Sequence, residues 1–217
     1  MGQKIGSAFI KNFILNLANV VILQKGYLDD LDAACGDGDF GVGMYIGFEN
    51  VKKAIEQKDE EDLGHIFDEA GHAILSSVGG ASGVLFGTLF IEAGKVAGTK
   101  REIDLNDLSN MMRASLEKIC QSGGSKQGDK TLIDALWPAV ESLEDAAKRN
   151  LDLTEALLMA ANAARRGAES TKDLIAKQGK ARYLGEQTLG HVDPGAELIR
   201  LIFETLFATY ESTGGTS

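Results

Sequence analysis

Apolar residues recur at spacings of three and four along most of the chain, the period of one helix face after another, and no alternating run is long enough to anchor a sheet. Eight helices follow from this pattern, over about 7–25, 41–57, 62–78, 83–98, 105–122, 131–149, 153–177 and 194–212. In the sixth, Leu132, Leu136, Val140 and Leu143 form a stripe flanked by Ile133 and Trp137. Pro138 should kink that helix, because it lacks a backbone donor and crowds the preceding turn. Two starts carry local signals. Asp152 stands three residues before Glu155 as a capping box, and Asp193 precedes Pro194 as an N-cap followed by proline at the first helical position. The expected class is all-α.

The connections alternate in kind. Those after the second, fourth and sixth helices, around QKDEED, GTKREID and KRNLD, are short and charged. Those after the first, third, fifth and seventh are glycine-rich: GDGDFGVG, GGASG, GGSKQGDKT and GKARYLGEQTLGHVDPG. They hold fourteen of the 26 glycines. In an up-and-down antiparallel arrangement alternate connections fall at the same end. The glycine-rich loops then share one rim, toward which four helix N-termini point their unpaired amides and positive dipole ends. Glycine also ends helices and makes tight turns anywhere, but four successive odd-numbered loops argue for a functional rim.

Composition narrows the class. A chain of 217 residues, 44% hydrophobic and 25% charged, suits one globular domain or at most two small ones. A formal charge of -10 and the lack of a basic cluster interleaved with aromatics argue against nucleic acid. No apolar run reaches the roughly 18 residues of a membrane span, and the N-terminal pattern reads as an amphipathic helix. Cys35 and Cys120 form neither a disulfide framework nor a zinc pair, and reduced thiols fit a cytoplasmic protein.

The first rim loop carries the candidate chemistry. Its Gly36, Gly38 and Gly41 satisfy the dinucleotide pattern G-x-G-x-x-G, but no strand precedes it. Instead Asp32, Asp37 and Asp39, with Asp29 and Asp30 just before them, concentrate negative charge on one short flexible loop. Bare carboxylates about 4 Å apart repel by roughly 1 kcal/mol in water and about 4 near a protein surface, so the loop calls for cations. Oxygen-only ligands select hard ions, and Mg2+ held by a few carboxylates keeps positions open for phosphates. An EF-hand fails on spacing: counted from Asp37 the twelfth position is Phe48, and Glu49 comes one place late. A solvated acidic turn is the plainer alternative.

At the second rim loop Gly79, Gly80, Ala81 and Ser82 offer donors suited to a phosphate, or an ordinary serine cap. Among Lys126, Lys130, Lys177, Lys180 and Arg182 of the later loops, one or two could neutralise a transferring phosphoryl group, the rest being solvated. His65 and His72 lack the spacing of a zinc pair and read as ordinary, and His191 reads as structural.

Four motifs, L-D-x(3)-G-D-G-D-x-G, LSSVGGASGVLFGTLF, GDKTLIDALWP and GKARYLGEQTLGHVDPGA, together resemble the ADP-binding L subunit of the multi-subunit dihydroxyacetone kinases. The resemblance spans nearly the whole chain. It implies a single domain over 1–217, an antiparallel eight-helix barrel with nucleotide at one rim. It further implies that Asp32, Asp37 and Asp39 bind two Mg2+ ions that bridge to the phosphates of ADP or ATP. The residues around those phosphates would be Phe40, Gly41, Val42, Gly43, Ala81 and Ser82. Gly123, Leu132, Asp193, Pro194 and Gly195 would line the adenosine side, with Lys180 on the loop that closes the site. The implied partners are a K subunit that holds the ketose covalently and, in the phosphotransferase-system version, a phosphohistidine M subunit that recharges bound ADP. A homodimer stays open. Alone, the chain would bind nucleotide without phosphorylating sugar. Three positions depart from the family pattern: Phe40 for a usual His or Thr, Leu132 for Met, and Lys180 for Arg, which loses a bidentate fork. A non-catalytic nucleotide module acting on a transcription regulator demands the same rim. An acceptor-kinase domain of the fatty-acid type shares only the Asp triplet.

Overall fold

A computed structural model describes residues 3–56 and 61–214. Nine α-helices occur among them: α1 (Ser7–Leu23), α2 (Lys25–Ala33), α3 (Phe40–Glu56), α4 (Leu63–Ser77), α5 (Gly80–Ala97), α6 (Leu105–Gly123), α7 (Ile133–Lys148), α8 (Leu153–Ser170) and α9 (Pro194–Ser212). Eight of them form a closed ring: α1 packs on α3, each later helix on the next, and α9 returns to α1. Most ring neighbours are joined by short connections that make them antiparallel, with α2 between α1 and α3 and a longer excursion between α8 and α9, so the expected all-α, up-and-down barrel is the observed architecture. One continuous apolar cluster fills it, with Leu17, Met44, Phe48, Ile74, Phe86, Leu136, Leu143 and Ile199 at most 1% exposed.

The ninth helix is a correction. The apolar period predicts a first helix reaching 25 and a flexible loop carrying Asp29, Asp30 and Asp32. In the structure the chain breaks at Gln24, bends by 57° and re-forms as α2, which lies outside the ring against α3 and α9. The Lys25–Asp29 ion pair, 2.8 Å across one turn, supports this short element. It buries only Leu28, too little for an apolar period to register.

Smaller differences have local causes. Helix α8 ends at Ser170 rather than 177 and passes into a 3-10 turn at 171–173. Residues 181–188, read as loop, form 3-10 turns interrupted at Gly185. Helix α7 persists through Pro138. The proline has no N–H for the Asp134 carbonyl, and bare Gly167 of α8 closes on that carbonyl, where a Cβ would stand 2.3 Å away. Asp152 accepts from the Glu155 N–H at 2.8 Å, whereas both arms of a capping box form at the start of α6, between Asp104 and Asp107. Asp193 caps α9 at Ala196 N–H, 2.7 Å, with Pro194 at the first position. Gln57 to Glu60, most of the charged connection after α3, lie outside the described residues.

The two ends of the barrel are built differently. At the plain end, β1 (Ile5–Gly6) pairs antiparallel with β2 (Glu102–Ile103), and Gln3 accepts from Leu153 N–H at 2.9 Å. The N-terminal segment thus seals that end. Helices α4 and α5 approach through glycines seven apart on each: a Cβ at Gly64 or Gly71 would stand 2.3 or 2.7 Å from carbonyls of Gly98 and Gly87. No single described helix is long and apolar enough to cross a membrane, though the bent pair α1–α2 passes by length and composition.

Candidate functional site

At the other end, side chains tie the four glycine-rich loops to one another. Val78, before α5, fills a notch over Gly43 and Gly47 of α3, where a Cβ at 47 would meet it at 2.5 Å. Leu85 of α5 lies 3.6 Å from where a Cβ of Gly123 would stand. The Lys130 ammonium donates to the carbonyls of Thr171 and His191, and Lys180 pairs with Asp37.

Asp32, Asp37 and Asp39 converge, each offering a carboxylate oxygen within 4.8 Å of the others. Asp32 sits in the last turn of α2, where the helix dipole disfavours negative charge. Its Oδ2 accepts from the N–H groups of Asp39, 3.0 Å, and Phe40, 3.4 Å, at the start of α3. Burial raises the Asp32 pKa, those amides oppose it, and neighbouring Asp37 adds to the rise. Asp37 is exposed and shifted downward, chiefly by its hydrogen bond from Lys180, whose own pKa rises in return. The close packing needs bare backbone. A Cβ at Gly36 would stand 2.3 Å from the Asp32 carboxylate, one at Gly41 would stand 2.1 Å from the Lys25 carbonyl, and Gly38 turns between the acids at φ +75°.

The four rim helices do not offer equal anion sites. At α3, the Val42 N–H goes to Asp29 at 2.9 Å and the Gly43 N–H to the Asp39 carbonyl at 2.9 Å. Before α7, Asp134 accepts from Gly128 and Thr131 N–H at 2.5 and 2.8 Å. Helix α9 is capped by Asp193. Helices α5 and α7 both begin at an N-cap whose side chain makes no hydrogen bond, but Leu132, Ile133 and Asp134 at α7 are buried, whereas Gly79, Gly80 and Ala81 at α5 are exposed. The start of α5 is thus the rim's clearest anion cradle. Ser82 is its third residue rather than its cap.

On the far side, Leu132 is buried and its Cβ is 3.5 Å from where one would stand at Gly195, beside the Asp193 carboxylate at 3.1 Å. Burial pushes Asp193 up to about 7 against the Ala196 amide and the Lys130 ammonium, which pull it down. Gly123 ends α6 in the open. Phe40 turns its ring edge-on to Phe86, centroids 6.1 Å apart, and so faces the core rather than the rim.

The rim lysines divide. Lys130 is 3% exposed and structural, a role not visible from its place in a polar loop. Lys177 bonds the Gly128 carbonyl at 2.7 Å and approaches Asp129 at 3.4 Å. His65 and His72 pair with acids one turn away on an exposed face of α4. A groove of about 480 Å³ between α1 and α9, lined by Asn16, Asn19, Leu23, Leu201 and Thr205 among others, contains none of these residues.

Known proteins share this all-α barrel. A family model described as the DAK2 domain matches residues 34–208, and the chain belongs to that family. It is 36% identical over 197 residues to the ADP-binding subunit DhaL of the PEP-dependent dihydroxyacetone kinase of Escherichia coli (strain K12), covering 91% of this chain and 94% of that one. The corresponding subunit of kinase 1 from Listeria innocua is 41% identical over 186 residues, covering 86% and 88%. The crystal structure of the dihydroxyacetone kinase from C. freundii in complex with AMP-PNP and Mg2+ matches with a TM-score of 0.70 at 27% identity. It covers 96% of this chain, which spans 35% of that kinase. The resemblance drawn from the four motifs is borne out.

Proposed function

We propose that this chain is the nucleotide-binding subunit of a cytoplasmic kinase for dihydroxyacetone or a related short ketose, presenting Mg2+-bound nucleotide to a sugar held on a separate K subunit. The convergence of three carboxylates on the rim that also holds the exposed start of α5 carries this reading. Near full-length similarity to subunits named as ADP-binding supports it.

The donor set fits a hard cation. All three ligands are carboxylate oxygens, their mutual repulsion favours a bound charge, and the Lys180 ammonium already rests on Asp37 as a tethered stand-in. Asp32, Asp37 and Asp39 would hold two Mg2+ ions, which when bound neutralise the oxygen charge that develops as a phosphoryl group transfers. The chain does the rest by position. Amides at Ala81 and Ser82 receive phosphate oxygens along the α5 dipole, and Phe40 to Gly43 set the acids' distance from them. Gly123, Leu132, Asp193, Pro194 and Gly195 form an adenosine wall, and Lys180 adds positive charge from the closing loop. With Phe40 facing the core and Lys180 lacking an arginine's fork, this subunit releases ADP more readily than relatives with the usual residues. The sugar step requires the K subunit. Bound ADP is recharged by a phosphohistidine M subunit, or ATP exchanges.

Asp37→Asn tests the reading. Mg2+-dependent ADP affinity, measured calorimetrically, should fall at least about tenfold while helical circular dichroism is unchanged. Unchanged affinity would overturn the metal assignment. Adding a K subunit and a ketose should yield sugar phosphate with the parent chain and little with the variant.

A further inference from the structure

Residues 171–191 leave the barrel after α8 and return before α9, and both ends of this excursion meet at Lys130. Its ammonium donates to the Thr171 carbonyl at 2.6 Å and to the His191 carbonyl. The neck is closed further by Gly190 N–H on the Lys172 carbonyl, 2.7 Å, and by Asp193 N–H on the Thr171 hydroxyl, 2.9 Å. Inside the loop, Thr188 accepts from Ala176 N–H at 3.0 Å and donates to the Gly185 carbonyl at 2.7 Å. Lys177 N–H reaches the Asp129 carbonyl, 3.1 Å, one residue before Lys130. At the loop's outer end stands Lys180, against Asp37.

Lys130 keeps a charge where charge is costly. It is 3% exposed, and its backbone lies at φ +60°, a conformation that non-glycine residues adopt only when their surroundings impose it. Asp134, four residues on, fixes the turn that produces this backbone through the amides of Gly128 and Thr131. An apolar residue could fill the same volume without desolvating an ammonium. What it could not do is bind two carbonyls from opposite ends of a loop at once.

We propose that Lys130 is a positioning residue of the nucleotide site: by clamping the neck of the 171–191 loop from the loop before α7, it sets Lys180 over the Asp32–Asp37–Asp39 cluster. This rests on the nucleotide-site reading given above. Lys130 acts at a distance, through the shape of the loop, and touches neither metal nor phosphate.

The test uses the full chain and Mg2+ with ADP in a double-mutant cycle. Lys130→Met should weaken ADP binding about tenfold or more, yet less than about threefold in a Lys180→Met background, because the clamp has then nothing to position. Amide hydrogen exchange should accelerate within 174–190 while α4 and α5 keep their protection. If Lys130→Met does not fold, Thr171→Val loosens the same neck by deleting only the hydroxyl that Asp193 N–H uses, and should couple to Lys180 in the same sense. Independent, multiplying effects of the two lysine changes, or wild-type affinity in either neck variant, would overturn the clamp. Asp37→Asn is the control. If it weakens ADP binding and the neck variants do not, only the clamp fails; if it too binds normally, the site reading and the clamp fall together.

Discussion

Lys130 and Lys180 serve the same loop from opposite ends, and their surroundings could hardly differ more. Lys130 lies beneath the rim, nearly sealed, its charge answered by two carbonyl dipoles, with carboxylates of Asp193 and Asp134 nearby. Lys180 lies above the rim, largely exposed, answered by one exposed carboxylate. A buried ion that loses its partners has no water to fall back on, so its contacts hold structure. An exposed ion exchanges partners at little cost, so its contact is free to change when a ligand arrives. The same residue type is a fastener in one place and a movable counter-charge in the other.

The largest effect should come from breaking the fastener. Lys130→Met removes two hydrogen bonds from a charged donor, leaving the Thr171 carbonyl with only the Leu174 N–H at 3.2 Å and the part-buried His191 carbonyl without the ammonium, so global stability should fall by about 2–4 kcal/mol. Lys180→Met should leave stability unchanged. Urea denaturation of both variants decides this: equal losses would erase the distinction between the two lysines.

That distinction was not legible in the sequence, and the reason is physical. Both residues stand among Gly, Lys, Asp and Gln in loops of similar composition. Burial of Lys130 comes from residues 171–191 folding back over it, a contact that no local pattern encodes. By contrast, the ring of helices was legible because each buries an apolar stripe of 3.6 period, as Leu136, Val140 and Leu143 do in α7. The convergence of Asp32, Asp37 and Asp39 was legible because like charges and glycines alternate over a short stretch. Helix α2 escaped because a nine-residue element with one buried side chain carries almost no periodic signal. Its signs were the Lys25–Asp29 spacing and the pairing of Leu28 with Leu31. The glycines at 64, 71, 87 and 94 were visible as two pairs seven residues apart. They mark close helix contact at α4–α5 rather than the rim chemistry to which other glycines point.

A pH series sharpens the comparison from the Lys130 side. Asp193 has a folded pKa of about 7, above its ordinary 3.8, so between those values the folded chain binds more protons than the unfolded one. By linkage its contribution is most favourable below about pH 4, declines as pH rises toward 7, and is flat beyond. Asp193→Asn keeps an N-cap acceptor and removes the titration. At about 1.4 kcal/mol per pKa unit the ceiling is about 4 kcal/mol. Partial solvent access lowers the expected gain to about 1–2 kcal/mol at pH 8, with none at pH 4. Thermal denaturation at the two pH values measures it, and equal effects of the substitution at both would remove Asp193 from the Lys130 pocket's electrostatics.

The smallest effect tests the movable counter-charge, and it should change sign with the ligand present. In the nucleotide-free chain Lys180 and Mg2+ compete for Asp37, because one carboxylate cannot satisfy an ammonium and a divalent ion in the same place. Lys180→Met should therefore raise the affinity for Mg2+ alone by a few-fold, most clearly at low ionic strength where exposed charges are least screened. With ADP bound, the displaced ammonium has phosphate oxygens to meet instead, so the same substitution should lower the affinity for Mg2+ and ADP together. Calorimetric titration of Mg2+ with and without ADP reads both signs. A loss in both conditions would mean that Lys180 never rests on Asp37 in solution, and a gain in both would mean that it only obstructs the site.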